Sequence, residues 1–160
     1  MCARVPEESA VNITDIYQHN PVTIRESEEL TTAAQLMRER HIGYLVVVEP
    51  QVSGAARPVG VLTDRDIVVG VIAKGADPRE LRVADVMTRN PVTVEESHSL
   101  AAALREMRRI GVRRIPVVGA LGQLRGVLSL DEVLDALAEE LLGVVGSIRS
   151  ELRMESALRP

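Results

Sequence analysis

Phenylalanine and tryptophan are missing altogether, and Tyr17 and Tyr44 are the only aromatic side chains. Recognition of single-stranded nucleic acid by base stacking needs exposed aromatic platforms, so the composition argues against that mode. Cys2 is the single cysteine; no disulfide can form within the chain, and a reducing compartment is expected. Cys2, His19, His41 and His98 show no metal-ligand spacing, and no serine or cysteine stands in a nucleophile motif. The expectation is a protein that is not an enzyme and requires no cofactor or metal. No apolar run approaches the roughly 20 residues of a membrane span, and residues 1–8 lack the apolar segment of a secretory signal. A soluble, cytoplasmic protein is expected. Lysine is nearly absent as well, Lys74 being the only one, and the net charge is −4. The overall positive field of a non-specific DNA binder is therefore missing. Arg105, Arg108, Arg109, Arg113 and Arg114 make a local basic stretch, which leaves a DNA-binding regulator as a distant alternative.

What is present is aliphatic: 46% of the 160 residues are hydrophobic, enough to bury a core without staples. Residues 1–12 are polar and without period, and are read as a loose arm. Asn20-Pro21 forces Val22-Thr23-Ile24 to be extended. Ser27 is expected to cap a helix with Glu28 and Glu29 in its first turn, and Leu30, Ala33, Ala34 and Met37 share its apolar face. The β-branched run from Gly43 to Val48 reads as a buried strand. After a loop from Pro50 to Pro58, Val59 to Leu62 is the next strand. Thr63 then opens a helix with Ile67, Val68, Val71 and Ile72 on its apolar face, ended by Lys74-Gly75.

The same order then returns. Asn20-Pro21-Val22-Thr23 recurs as Asn90-Pro91-Val92-Thr93 at an offset of 70, which also relates Leu30 to Leu100, Met37 to Met107 and Val47-Val48 to Val117-Val118. Past a shortened loop, Gly60 meets Gly126 at an offset of 66. Two copies of one unit are expected to pack about a pseudo-twofold axis: residues 13–75, a link at 76–82, residues 83–142, and a helical extension at 143–160. That extension is amphipathic and contains Gly143 and Gly146. Covering an edge of its own chain and contacting a second copy both fit this pattern.

Each unit closes on one phrase, Gly60-Val61-Leu62-Thr63-Asp64-Arg65-Asp66 and Gly126-Val127-Leu128-Ser129-Leu130-Asp131-Glu132. Together with the Asn-Pro-Val-Thr openings and the turn Val83-Ala84-Asp85-Val86-Met87-Thr88, the chain resembles a tandem cystathionine-β-synthase (CBS) domain pair, a Bateman module of the stand-alone bacterial type. The resemblance covers residues 12 to 140. It implies an α+β fold of two β-α-β-β-α units with pseudo-twofold symmetry and two clefts. It also implies an adenosine-containing regulatory ligand, such as AMP, ADP, ATP or S-adenosylmethionine, and a flat homodimer.

The two closing phrases have two readings. A helix N-terminus offers free N–H groups to a phosphate, and an acid one turn on can accept from a ribose diol. By the resemblance, Thr63 contacts phosphate or ribose, Asp66 contacts ribose hydroxyls and Gly60 permits close backbone approach. Equally, Thr63-x-x-Asp66 and Ser129-x-x-Glu132 are capping boxes, and the second fits the box better than it fits the ligand motif, so Thr63 and Asp66 are expected to carry the main site. The resemblance places further candidates where the second strand of each unit opens: Tyr44 and Leu45 in the first, Arg113, Arg114, Ile115 and Pro116 in the second. Arg113 and Arg114 suit phosphate oxygens or a solvated basic face; Val22 and Val92 suit the flanks of an adenine or the core. The functional expectation is a metabolite sensor. Its alternative is a ligand-free scaffold that recruits a protein partner, and neither reading involves a membrane.

Overall fold

A computed structural model describes residues 12–51 and 55–158, with side chains described as far as 151. The elements are α1 (Ile13–Ile16), β1 (Gln18–His19), β2 (Thr23–Ile24), α2 (Leu30–Arg40), β3 (Tyr44–Pro50), β4 (Ala56–Thr63) and α3 (Asp64–Gly70). After the short 3-10 turns Ile72–Lys74 and Pro78–Glu80 come α4 (Val83–Val86), β5 (Thr88–Arg89), β6 (Val94–Glu95), α5 (Leu100–Ile110), β7 (Arg114–Val118), β8 (Leu124–Ser129) and α6 (Leu130–Leu158). The fold is α+β and the duplication is visible in its topology. One sheet runs β2-β3-β4-β5 and the other β6-β7-β8-β1. Each carries a register shift at the equivalent place, Val47/Val48 in one and Val117/Val118 in the other.

The residues that open each copy pack on the other one. β1 pairs antiparallel with β8, Gln18 against Val127, and β5 pairs with β4, Val61 against Thr88. The apolar side chains follow their strands. Ile13 and Tyr17 are buried with Val94, Met107, Ile115 and Leu128; Val83 and Met87 are buried with Leu30, Met37, Leu45 and Leu62. Val46, Val48 and Val127 form a third cluster, so the inner faces of the two sheets close on each other. Gly126 allows the first crossover: a Cβ there would collide with the Tyr17 ring and the Gln18 carbonyl oxygen.

Local expectations about the start of α2 and the apolar face of α3 needed correction. Ser27 is not the cap of α2; the helix starts at Leu30 after Glu29, which makes no side-chain cap, whereas Ser99 at the matching place accepts from the Ala102 N–H at 3.3 Å. Val68 and Ile72 are exposed, so only Ile67 and Val71 of that face reach the core. The helix shortens to seven residues and tightens into a 3-10 turn that rotates its later residues. Helix α6 is continuous from Leu130, so the end of the second copy and the extension are one element.

Helices α2 and α5 end on left-handed residues, His41 with φ 54° and Gly111 with φ 71°. Glycine carries no Cβ penalty in that conformation, about 1–2 kcal/mol for other residues, but loses more entropy on folding, about 0.4–1 kcal/mol. His41→Gly is therefore expected to stabilise the ligand-free protein by about 0.5–1 kcal/mol in urea unfolding.

Candidate functional site

The crossovers bring the opening of one copy beside the closing phrase of the other. A cleft of about 200 Å³ is lined from the first copy by Gln18, Pro21, Val22, His41, Ile42, Gly43 and Tyr44, and from the second by Arg114, Val127, Ser129 and Glu132. Of the candidates from sequence, Val22, Tyr44, Arg114, Ser129 and Glu132 meet here. Thr63 and Asp66 cap α3, Val92 packs against the second core, Arg113 lies near Asp131, and Val61, two residues before Thr63, pairs with Thr88 of β5. Asp66 also borders a separate hollow of about 290 Å³ with Arg65, Lys74 and Asp85. Leu45 and Ile115 are fully buried in the two cores, and Pro116 is buried in β7. Gly60 lies in β4 opposite Arg89, with the Met87 sulfur 2.6 Å from where a Cβ would stand.

A larger hollow, about 500 Å³, lies elsewhere, between α2 and the β3–β4 hairpin near Arg25, Gln35, Glu39 and Pro50. It contains neither closing phrase. Its size therefore says less about function than the smaller cleft's composition.

Both closing phrases form complete capping boxes. Thr63 Oγ1 accepts from the Asp66 N–H at 3.1 Å, and Asp66 Oδ2 accepts from the Thr63 N–H at 2.9 Å and its hydroxyl at 2.7 Å. Ser129 and Glu132 repeat this at 3.2, 3.0 and 2.9 Å. The glutamate's extra methylene does not change the pattern. Each box occupies one carboxylate oxygen, and no described residue bonds the other, Asp66 Oδ1 or Glu132 Oε1. A cap and a ligand contact are thus compatible in one residue. The helices behind them differ: α3 has seven residues and α6 has 29, so only the Ser129 turn heads a long run of aligned peptide dipoles.

Tyr44 supplies the cleft's unsatisfied group. Its hydroxyl is buried and has no hydrogen-bond partner among the described residues. Burial pushes its pKa well above the usual phenol value, with the Arg114 charge opposing. A stranded buried hydroxyl costs about 1–3 kcal/mol, so Tyr44→Phe is expected to raise the melting temperature of the ligand-free protein. The same shift has a pH consequence. The unfolded phenol ionises near pH 10 while the folded one holds its proton, so stability is present below pH 10 and falls as pH rises beyond it. Tyr44→Phe should flatten that alkaline loss, in part only, because burial also raises Tyr17.

Arg114 and Arg113 share Asp131 at 3.6 and 3.7 Å, loose exposed pairings that leave both guanidinium groups available at the surface. Sequence reasoning missed Gln18, Pro21, His41, Ile42 and Val127. The signal for Ile42 was its match to Val112 beside a strand start; Gln18 and Val127 depend on the crossover, for which one sequence holds no signal. Among the described residues no group of three or more His, Cys, Asp or Glu side chains is placed to hold a metal ion.

The profile of the CBS domain family matches residues 13–72 and again 83–139. The chain belongs to the CBS domain family. This CBS pair is 30% identical over 125 residues to an uncharacterised protein of Methanopyrus kandleri, covering 78% of this chain and 62% of that one. The chain thus spans less than two thirds of that relative. It is 36% identical over 104 residues to Hypoxic response protein 1 of Mycobacterium tuberculosis, covering 65% and 70% of the two chains. Among solved structures, CBSX2 in complex with AMP matches with a TM-score of 0.66 and 27% identity over 80% of this CBS pair and 96% of that chain.

Proposed function

We propose that this CBS pair is a cytoplasmic regulatory module, not an enzyme, that senses an adenosine-containing metabolite. AMP, ADP, ATP and S-adenosylmethionine are the candidate ligands, with no further cofactor. The observation that carries the reading is the cleft built jointly by both copies. Val22 and Ile42 offer apolar flanks to a base. The free oxygen of Glu132 accepts from a ribose diol, and the Tyr44 hydroxyl gains the partner it lacks. Arg114 and the α6 N-terminus meet a negatively charged tail. The Thr63–Asp66 turn, with Val92 and Arg113, is the second site of the same kind. The AMP complex of CBSX2 supports this ligand class. Because the ligand touches both copies, its occupancy changes how firmly they are clamped, and a homodimer or a protein partner reads that change.

Thermal unfolding in the presence of AMP, ADP, ATP and S-adenosylmethionine tests the reading. A ligand at about 100 times its dissociation constant stabilises the folded state by roughly 2.7 kcal/mol, a clear upward shift. The closed capping boxes are equally compatible with the alternative, a ligand-free scaffold, and the absence of any shift at millimolar ligand would leave that alternative standing.

A further inference from the structure

Helix α6 leaves the folded body after Val133, which is buried in the second core. Every residue from Leu137 to Glu151 is exposed. Yet the helix carries an apolar stripe: Leu134 is 64% exposed, Leu141 67% and Leu142 70%, followed by Val144, Val145 and Ile148. Among the described residues nothing packs against this side of the helix, and an exposed apolar stripe of this kind marks an interaction surface.

We propose that the stripe is the seam of an antiparallel helix pair formed with a second copy of this chain. This deepens the dimer part of the reading above and does not depend on the ligand. Leu134, Ala138, Leu141, Val145 and Ile148 follow the alternating spacing of four and three that a coiled-coil seam requires. In an antiparallel pair whose twofold axis falls at Gly143, Leu141 lies against Val145 of the second copy and Ala138 against its Ile148. Leu134 comes level with position 152, a leucine in the sequence. The flanking positions bring Leu142 beside its own copy on one side and Val144 beside its own copy on the other. One register therefore covers the stripe and both of its exposed shoulders.

Charge selects this occupant and this direction. From Leu130 to Ile148 every charged residue of α6 is acidic (Asp131, Glu132, Asp135, Glu139 and Glu140), and the first base is Arg149. A parallel pair aligns these acids with their own copies and puts Arg149 beside Val144. The antiparallel register instead separates the two acidic segments and sets Asp135 beside Arg149 of the second copy, twice by symmetry. The helix is complementary to itself only when reversed.

Sedimentation equilibrium of the full chain is expected to give a dimer. Leu141→Glu, at a site too exposed to affect folding, should raise the dimer dissociation constant at least about a hundredfold by placing charge in the seam, with the circular dichroism unchanged. Asp135→Arg or Arg149→Asp alone should weaken the dimer on the order of tenfold, and the two together should restore it. A monomeric wild type overturns both the seam and the dimer. A dimer that resists Leu141→Glu but yields to Val68→Glu on α3 overturns the seam and leaves the dimer. Failure of the double reversal to restore association overturns the antiparallel register.

Discussion

Glu132→Gln is expected to raise the dissociation constant for AMP by about tenfold or more while leaving the melting temperature of the ligand-free protein nearly unchanged. The capping box accepts glutamine in place of glutamate, so the bond to the Ser129 N–H survives. What is lost is the negative charge on the second oxygen. Hydrogen bonds to charged groups contribute about 1.5–3 kcal/mol, and about 1.4 kcal/mol is tenfold in affinity. Calorimetric titration of the wild type, Glu132→Gln and Asp66→Asn decides which cleft is used. Loss of affinity in Glu132→Gln alone assigns AMP to the α6 turn. Loss in Asp66→Asn alone assigns it to the α3 turn, and unchanged affinity in both removes these carboxylates from the site.

Gly126→Ala is expected to destabilise the protein by about 3 kcal/mol, at the upper end of overpacking penalties. The added methyl meets the Gln18 carbonyl as well as the Tyr17 ring, and a backbone atom cannot turn aside. Strand β1 must separate from β8, which pulls Tyr17 and then Ile13 out of the second core. Gly60→Ala, the equivalent change in the first copy, should be milder. Its nearest neighbour is the flexible Met87 side chain, and the Thr88 carbonyl oxygen stands at 3.2 Å. Urea unfolding of the two variants measures the difference. Because β1 also carries Gln18 into the cleft wall, Gly126→Ala should weaken AMP binding further than its distance from Glu132 would suggest.

The contrast between these glycines extends to the turns beside them. The two copies are equivalent in topology, but the α6 turn has the longer dipole and the tighter strand crossing, and the α3 turn ends in a short helix with exposed Val68 and Val69. Equal ligand response from the two clefts is not expected of such a pair. The α6 turn is also the start of the helix that carries the proposed seam, so the proposed ligand site and the proposed dimer contact share one element.

Much of this was legible in the chain itself. The offset of 70 through Asn20-Pro21 and Asn90-Pro91, and of 66 through the glycines, determined the duplication, the order of elements and the two capping turns. These depend on local spacing and backbone preference, which a sequence records directly. Only the tertiary structure decided which turn faces which strand. Residues 13–19 lie next to Asn20 in sequence and read as the start of their own copy, yet Ile13 and Tyr17 pack in the other core, because β8 offers an unpaired edge and Gly126 a gap for the ring. For the same reason Ser129 and Glu132, rather than Thr63 and Asp66, share a cleft with Val22 and Tyr44. Edges and gaps arise only when distant segments meet, so the hydroxyl and carboxylate that line the cleft were readable one by one, and their grouping was not.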